Sequence, residues 1–158
     1  METVRRLGLR ALLEGCGLVA VSAVAAAGMW LATGGPDRRV PCDGSALEPG
    51  QVCLAEVLET GGEILWADAR PRALWKRNGM EGAVLLTDDA AEDFDELLAA
   101  CFEQVAGADR VVVYCGQAGC GSSEAVAARL RETGLAREVL VLYGGWKALH
   151  AAGLTGSK

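Results

Sequence analysis

The sequence predicts an α/β fold: a parallel sheet with helices on both faces, preceded by one N-terminal transmembrane helix. Three observations carry this. Short β-branched and apolar runs alternate with amphipathic stretches along residues 52–156, the pattern of strands that are crossed over by helices. Glycines stand at the ends of those stretches, at Gly61-Gly62, Gly134 and Gly144-Gly145, as helix stops and turns. An uncharged run of 19 residues, 15–33, lies near the N-terminus.

At about 1.5 Å per residue that run nearly spans a hydrocarbon core of about 30 Å. Arg5, Arg6 and Arg10 precede it and Arg38 and Arg39 follow it. Three arginines on a short tail favour a cytoplasmic N-terminus and a domain on the periplasmic or extracellular side of the inner or cell membrane, in a single pass. A core helix would show a polar face, and the run has none. A cleaved signal peptide could use Ala25-Ala26-Ala27, but the run continues through Met29, Trp30 and Leu31, with Trp30 suited to an interfacial position. Residues 1–36 carry three arginines against two glutamates, a net +1, and the remainder carries 12 basic against 19 acidic residues, a net −7. The acidity therefore belongs to the exported part.

Residues 36–51 are rich in Gly, Pro, Asp and Ser and read as a linker. This divides the chain into residues 1–35 (tail and transmembrane helix), 36–51 (linker) and 52–156 (the α/β domain). Leu54, Val57 and Leu58 have helical spacing up to Gly61. Residues 64–67 form a short buried strand ending at Asp68, and residues 83–86 form another. Residues 90–105 read as one helix with Phe94, Leu97, Leu98, Cys101, Phe102 and Val105 on one face. Asp89 and Glu92 supply a capping-box-like start, and Glu92, Asp93, Asp95 and Glu96 a solvated first turn. Residues 111–114 (Val-Val-Val-Tyr) are the strongest strand. A helix over 124–133 follows, capped by Gly134, then a strand over 139–142 and a closing helix over 146–152. Trp66, Trp75 and Trp146 are expected to pack between sheet and helices.

One histidine and six scattered cysteines exclude a multi-histidine metal centre and a zinc finger; neither a metal nor a cofactor is expected. The net charge of −6 without a lysine-rich stripe argues against nucleic acid as a partner. Chemistry is therefore sought in the thiols. Cys16 lies in the membrane run and Cys101 on an apolar helix face. Cys42 and Cys53 flank the linker's end and, in an exported domain, form a candidate disulfide; the alternative is two unpaired thiols. His150 has no spacing relation to the other candidates and reads as an exposed helix residue.

In parallel sheets ligands bind at the carboxyl ends of strands. The best strand ends in Cys115-Gly116-Gln117-Ala118-Gly119-Cys120-Gly121-Ser122-Ser123, and a helix follows. Gly116, Gln117, Ala118, Gly119, Gly121 and Ser122 are the candidate anion cradle, with glycines that let successive N–H groups turn inward. Ser122 or Ser123 is the expected N-cap. A helix N-terminus stabilises a thiolate, so Cys115 is the candidate nucleophile. Cys120, close in the same loop, either resolves Cys115 as a disulfide or packs beneath the loop.

The landmarks Asp68-Ala69-Arg70, Asn78-Gly79-Met80-Glu81-Gly82-Ala83, the strand ending in Cys115, Gly134, and Leu142-Tyr143-Gly144-Gly145-Trp146 together resemble a rhodanese-like domain, over nearly all of the exported part. The resemblance implies a sulfurtransferase fold in which Cys115 accepts a sulfane sulfur as a persulfide and passes it to a thiol acceptor or a small sulfur-containing substrate. It also makes Asp68 and Arg70 a strand-end cap and supporting ion pair. The family's loop arginine is absent, its usual positions being Gly116 and Cys120, and the segment before Gly82 lacks the usual His-Ile-Pro. The expected activity on thiosulfate is accordingly weak or nil, and a phosphatase-like role, which needs that arginine, is disfavoured. The alternatives to a sulfurtransferase are a Cys115/Cys120 dithiol-disulfide oxidoreductase and a non-catalytic binding module on the same fold.

Overall fold

The structure, a computed structural model, describes residues 40–116 and 120–156. The expected membrane run 15–33 lies outside the described residues; among the described residues no helix is long and apolar enough to cross a membrane.

Five strands form one parallel sheet: β1 (Gln51–Val52), β2 (Ile64–Asp68), β3 (Val84–Leu85), β4 (Arg110–Tyr114) and β5 (Val139–Leu142), in the order β1-β5-β4-β2-β3. The helices are α1 (Leu54–Thr60), α2 (Arg72–Asn78), α3 (Phe94–Ala100), α4 (Phe102–Gly107), α5 (Gly121–Thr133) and α6 (Gly145–Ala151). Period-2 alternation along β4 divides the core. Val111 and Val113 join Phe94, Cys101, Val105, Val126 and Leu130 from α3–α5 and the segment between them. Val112 and Tyr114 join Val57 of α1 and Leu149 of α6 on the opposite face. The residues of β4 after Arg110 are fully buried, as a central parallel strand covered on both faces requires.

Three local expectations are corrected. The helix expected over 90–105 starts at Phe94, because Asp93 takes the N-cap, accepting from the Asp95 and Glu96 amides at 2.9 and 3.3 Å. Asp89 instead closes a turn on Ala91 N–H, and Glu92 is drawn to Arg72, with both contacts at 2.6 Å. That helix also breaks at Cys101, whose backbone leaves the helical region (φ −120°, ψ 18°). The break turns Cys101 and Val105 inward and leaves Phe102 48% exposed, off the apolar face predicted for it. Finally, α2 fills a stretch where no helix was expected. It has seven residues, none of them buried, and follows Pro71 without a side-chain cap, so neither periodicity nor capping announces it.

The segment from residue 40 to Gly50 runs along the domain. Asp43 caps a single 3-10 turn, and a Cβ on Gly144 would stand 2.9 Å from Val40 Cγ1. Cys42 and Cys53 are joined as a disulfide, with Cα atoms 5.8 Å apart and 11 residues of separation. Closing a loop of that length contributes about 3 kcal/mol in the chain-entropy picture.

Candidate functional site

The carboxyl edge of the sheet gathers the residues that matter. Tyr114 ends β4 in register with Asp68, the last residue of β2, so Cys115 and the Asp68-Ala69-Arg70 turn leave the sheet side by side. The chain at Cys115 is held from two directions. Ala69 N–H donates to the Tyr114 carbonyl at 2.8 Å, and Trp146 N–H, in the first turn of α6, donates to the Cys115 carbonyl at 2.6 Å.

Cys115 is 1% exposed and belongs to the core, while Cys120 is half-buried at its margin. The two are joined as a disulfide with Cα atoms 6.3 Å apart, within the span such bonds use. Cys120 is itself the N-cap of α5, which begins three residues before the expected Glu124. The assignment of the cap to Ser122 or Ser123 is therefore corrected. Ser123 is buried, and its hydroxyl donates to the Cys120 carbonyl at 3.0 Å, an acceptor that the sequence pattern did not indicate. Cys120 makes no side-chain cap hydrogen bond to the opening turn of this 13-residue helix.

Of the expected cradle, Gly121 and Ser122 are in the first turn of α5 and Gly116 follows Cys115; Gln117, Ala118 and Gly119 lie outside the described residues. Neither Gly116 nor Gly121 has a positive φ, and an added Cβ would meet nothing within 4 Å at either. The left-handed freedom invoked for the loop glycines is not used at these two positions.

Beside the cysteines sits a buried ion pair. Arg70 Nε donates to Asp68 Oδ1 at 2.9 Å and a terminal nitrogen to Oδ2 at 2.7 Å, with the two residues 5% and 0% exposed. The other terminal nitrogen reaches Asn78 Oδ1 at 3.2 Å. The guanidinium carbon lies 5.3 Å from the Trp146 ring and 5.7 Å from the Tyr114 ring, cation–π range. Trp146 Nε1 donates to the Asn78 carbonyl at 2.8 Å, and the ring stacks on exposed His150 at 4.6 Å between centroids. Thus Asp68 and Arg70 are an ion pair, as expected, and His150 is a surface ring engaged with Trp146 and Thr155 Oγ1. The sequence marked Trp146 as a landmark without revealing that its amide fixes the Cys115 carbonyl; nothing short of register could have disclosed that.

The Tyr114 hydroxyl accepts from Met80 N–H at 3.1 Å. Burial, and secondarily the negative charge of Asp68, push the phenol well above its usual range. The folded chain therefore keeps a proton that the unfolded chain releases near pH 10. Stability from this source is full below that pH and drains as the pH climbs toward the raised folded value, at about 1.4 kcal/mol per pH unit. Tyr114→Phe should flatten the fall in unfolding free energy above pH 10 by that increment. Urea titrations at several alkaline pH values measure it, and equal slopes for both proteins refute it. The Cys101 thiol is also raised by burial, contributes in the same direction, and is common to both.

The family model for the rhodanese-like domain matches residues 52–152. Among solved structures, the rhodanese-like domain of the Alr3790 protein from Anabaena sp. is 23% identical, with 70% of this chain and 81% of that one covered and a TM-score of 0.52. As-Sb reductase from Leishmania major is 18% identical, covering 68% and 85%, at 0.53. The BH2092 protein from Bacillus halodurans is 14% identical, covering 68% and 76%, at 0.52. At these identities the likeness speaks for the fold alone. A comparison with the curated proteins returned no match. The family match runs from the last residue of β1 past the end of α6, taking in both loop cysteines and the Asp68–Arg70 turn, and this chain belongs to the family of rhodanese-like domains.

Proposed function

We propose that this protein is a sulfurtransferase that carries sulfane sulfur as a persulfide on Cys115. The observation that carries this reading is the position of Cys115, directly after the central strand and against the N-terminus of α5, where helix partial charge favours a thiolate. In the step envisaged, the reduced Cys115 thiolate attacks the outer sulfur of a donor persulfide. The donor S–S bond breaks, the donor leaves as a thiolate, and the transferred sulfur is bound to Cys115 Sγ. An acceptor thiolate then attacks that outer sulfur and Cys115 leaves as the thiolate. Acceptors are thiol proteins or small thiols, and the family's loop arginine is replaced at its usual positions by Gly116 and Cys120. Dianionic thiosulfate is accordingly a poor donor.

A second reading, dithiol–disulfide exchange, is favoured by one specific observation, the bonded Cys115–Cys120 pair. Among the structural neighbours, one carries the name of a reductase. We further propose that residues 15–33 anchor the chain in the inner or cell membrane, with the domain periplasmic or extracellular. That assignment fits the thiol pairs, because an oxidising compartment sustains disulfides.

Intact mass of the full chain, purified in detergent, tests the chemistry. After reduction and exposure to glutathione persulfide, a gain of about 32 Da that disappears in Cys115→Ala is expected for a persulfide. Mild oxidation that removes about 4 Da from the reduced chain, two disulfides' worth, but only about 2 Da, that of Cys42–Cys53, from Cys120→Ala supports the exchange reading. If neither change occurs, both chemical readings fail and a binding module on this fold remains. Membrane fractions that release the chain to alkaline carbonate would refute the anchor.

A further inference from the structure

We infer that Cys120, not Cys115, is the sulfur at which an external dithiol reductant enters the Cys115–Cys120 disulfide, with Cys115 as the leaving thiolate. This rests on the disulfide-exchange reading above and assigns its two sulfurs opposite roles.

Access and anchoring set the two sulfurs apart. A thiolate attacks a disulfide along the S–S axis, from the far side of the sulfur it attacks, so the accessible sulfur decides the outcome. Cys115 is 1% exposed and buried with Ala69, Val113 and Val126, whereas Cys120 only packs against the edge of that cluster. Nor does Cys115 swing outward easily. Its carbonyl is fixed by Trp146 N–H at 2.6 Å and the preceding carbonyl by Ala69 N–H at 2.8 Å. While the disulfide is closed, bringing it to the surface would break these two contacts at the end of the central strand. The Cys120 backbone is held by the Ser123 hydroxyl at 3.0 Å, so its sulfur stays at the margin. The Cys115 sulfur is one bond from Cys120 at the start of α5, whose first turn carries no side-chain cap from Cys120. The helix partial charge therefore supports a departing thiolate at either sulfur, and access decides between them.

The chemistry balances with a dithiol. One reductant thiolate attacks Cys120 Sγ, forming a mixed disulfide there, and the electron pair of the broken S–S bond goes to Cys115 Sγ. The second thiol of the same reductant, deprotonated, attacks its own sulfur in the mixed disulfide. Cys120 leaves as a thiolate and takes up a proton, and the reductant departs as a disulfide. The net change is two electrons and one proton to the protein, the proton on Cys120, with Cys115 left as a thiolate. Reduced Cys115 is then available for sulfur.

The test uses the oxidised full chain in detergent with glutathione as a monothiol probe, quenched in acid at early times, alkylated, and sequenced by fragmentation. Glutathione on Cys120 with the alkyl group on Cys115, in at least about tenfold excess over the reverse arrangement, is the expected result. Equal labelling, or glutathione mainly on Cys115, overturns the inference. Single-thiol forms provide an independent reading. The thiol of Cys115→Ala should react with 5,5′-dithiobis(2-nitrobenzoate) about ten times faster than that of Cys120→Ala, after subtraction of the double variant. The opposite order overturns the inference. If oxidation of the reduced wild-type chain removes only the about 2 Da of Cys42–Cys53 and no adduct forms at either Cys115 or Cys120, the exchange reading itself falls. If the disulfide forms but glutathione settles on Cys115, only the assignment of roles falls.

Discussion

Replacing Asp68 with Ala should lower the unfolding free energy by about 3–5 kcal/mol, the cost of breaking a buried pair from one side. The reason is what remains. Arg70 is 5% exposed, and its guanidinium rests on Asp68 through contacts at 2.7–3.2 Å to both carboxylate oxygens. Without Asp68, the guanidinium is left with the neutral Asn78 Oδ1 and the two aromatic faces. Asp68 Oδ1 also accepts the Arg70 amide at 3.0 Å, closing the turn that leads away from β2. Removing both charges together, as Asp68→Ala/Arg70→Met, should cost less than Asp68→Ala alone, because a buried pair replaced by apolar groups loses little against its own desolvation. A double-mutant cycle by urea unfolding measures this. A single variant within about 1 kcal/mol of wild type would show that the pair is not desolvated, since exposed ion pairs are worth that little.

Much of this architecture was legible because it depends on period and composition. The run Val111–Tyr114, apolar at every position, could only be a strand buried on both faces, and β4 is the centre of the sheet with α-helical cover on each side. Gly134 announced the end of α5, which it caps in the left-handed conformation at φ 65°. Elements whose stability comes from tertiary contacts left no such trace. The seven residues of α2 bury no side chain fully, and their worth lies in single polar contacts, such as Trp75 Nε1 to the Ala83 carbonyl and Asn78 to Arg70. The break at Cys101 has no Gly or Pro to signal it. In the site, residue types pointed to a thiol pair, since two cysteines and glycines between a strand and a helix have few other uses. The partners that fix the pair did not show. Trp146 lies 31 positions beyond Cys115, and only the pairing of β4 with β5 brings α6 back to the same edge.

Gly79 shows how a motif residue can be read both ways. In sequence it is one landmark in Asn78-Gly79-Met80-Glu81-Gly82-Ala83; in space it is where the chain leaves α2 beneath Trp75. Its φ is −63°, so left-handed freedom is not the reason for glycine. Close approach is: a Cβ there would stand 2.6 Å from the Trp75 carbonyl oxygen, 3.1 Å from Trp75 Cδ1 and 3.4 Å from Asp68 Oδ2. The first of these is backbone and cannot rotate away. Gly79→Ala must therefore displace the end of α2. The displacement would strain the Gly79 N–H to Trp75 carbonyl bond at 2.9 Å, Trp75 Nε1 to Ala83, and Trp146 Nε1 to the Asn78 carbonyl. Overpacking of about 1–3 kcal/mol and about 1 kcal/mol for each of the three hydrogen bonds disturbed sum to an expected loss of about 4–6 kcal/mol. Gly82→Ala is the contrast. That residue has φ 76° with nothing within 4 Å of an added Cβ, so it pays only the left-handed penalty of about 1–2 kcal/mol. Urea midpoints for the two variants should fall in that order. Because Trp146 holds the Cys115 carbonyl, Gly79→Ala should also speed reaction of the reduced chain's Cys115 with a thiol probe, and Gly82→Ala should not. If Gly82→Ala proves the more damaging of the two, steric closure at Gly79 is not what the motif protects.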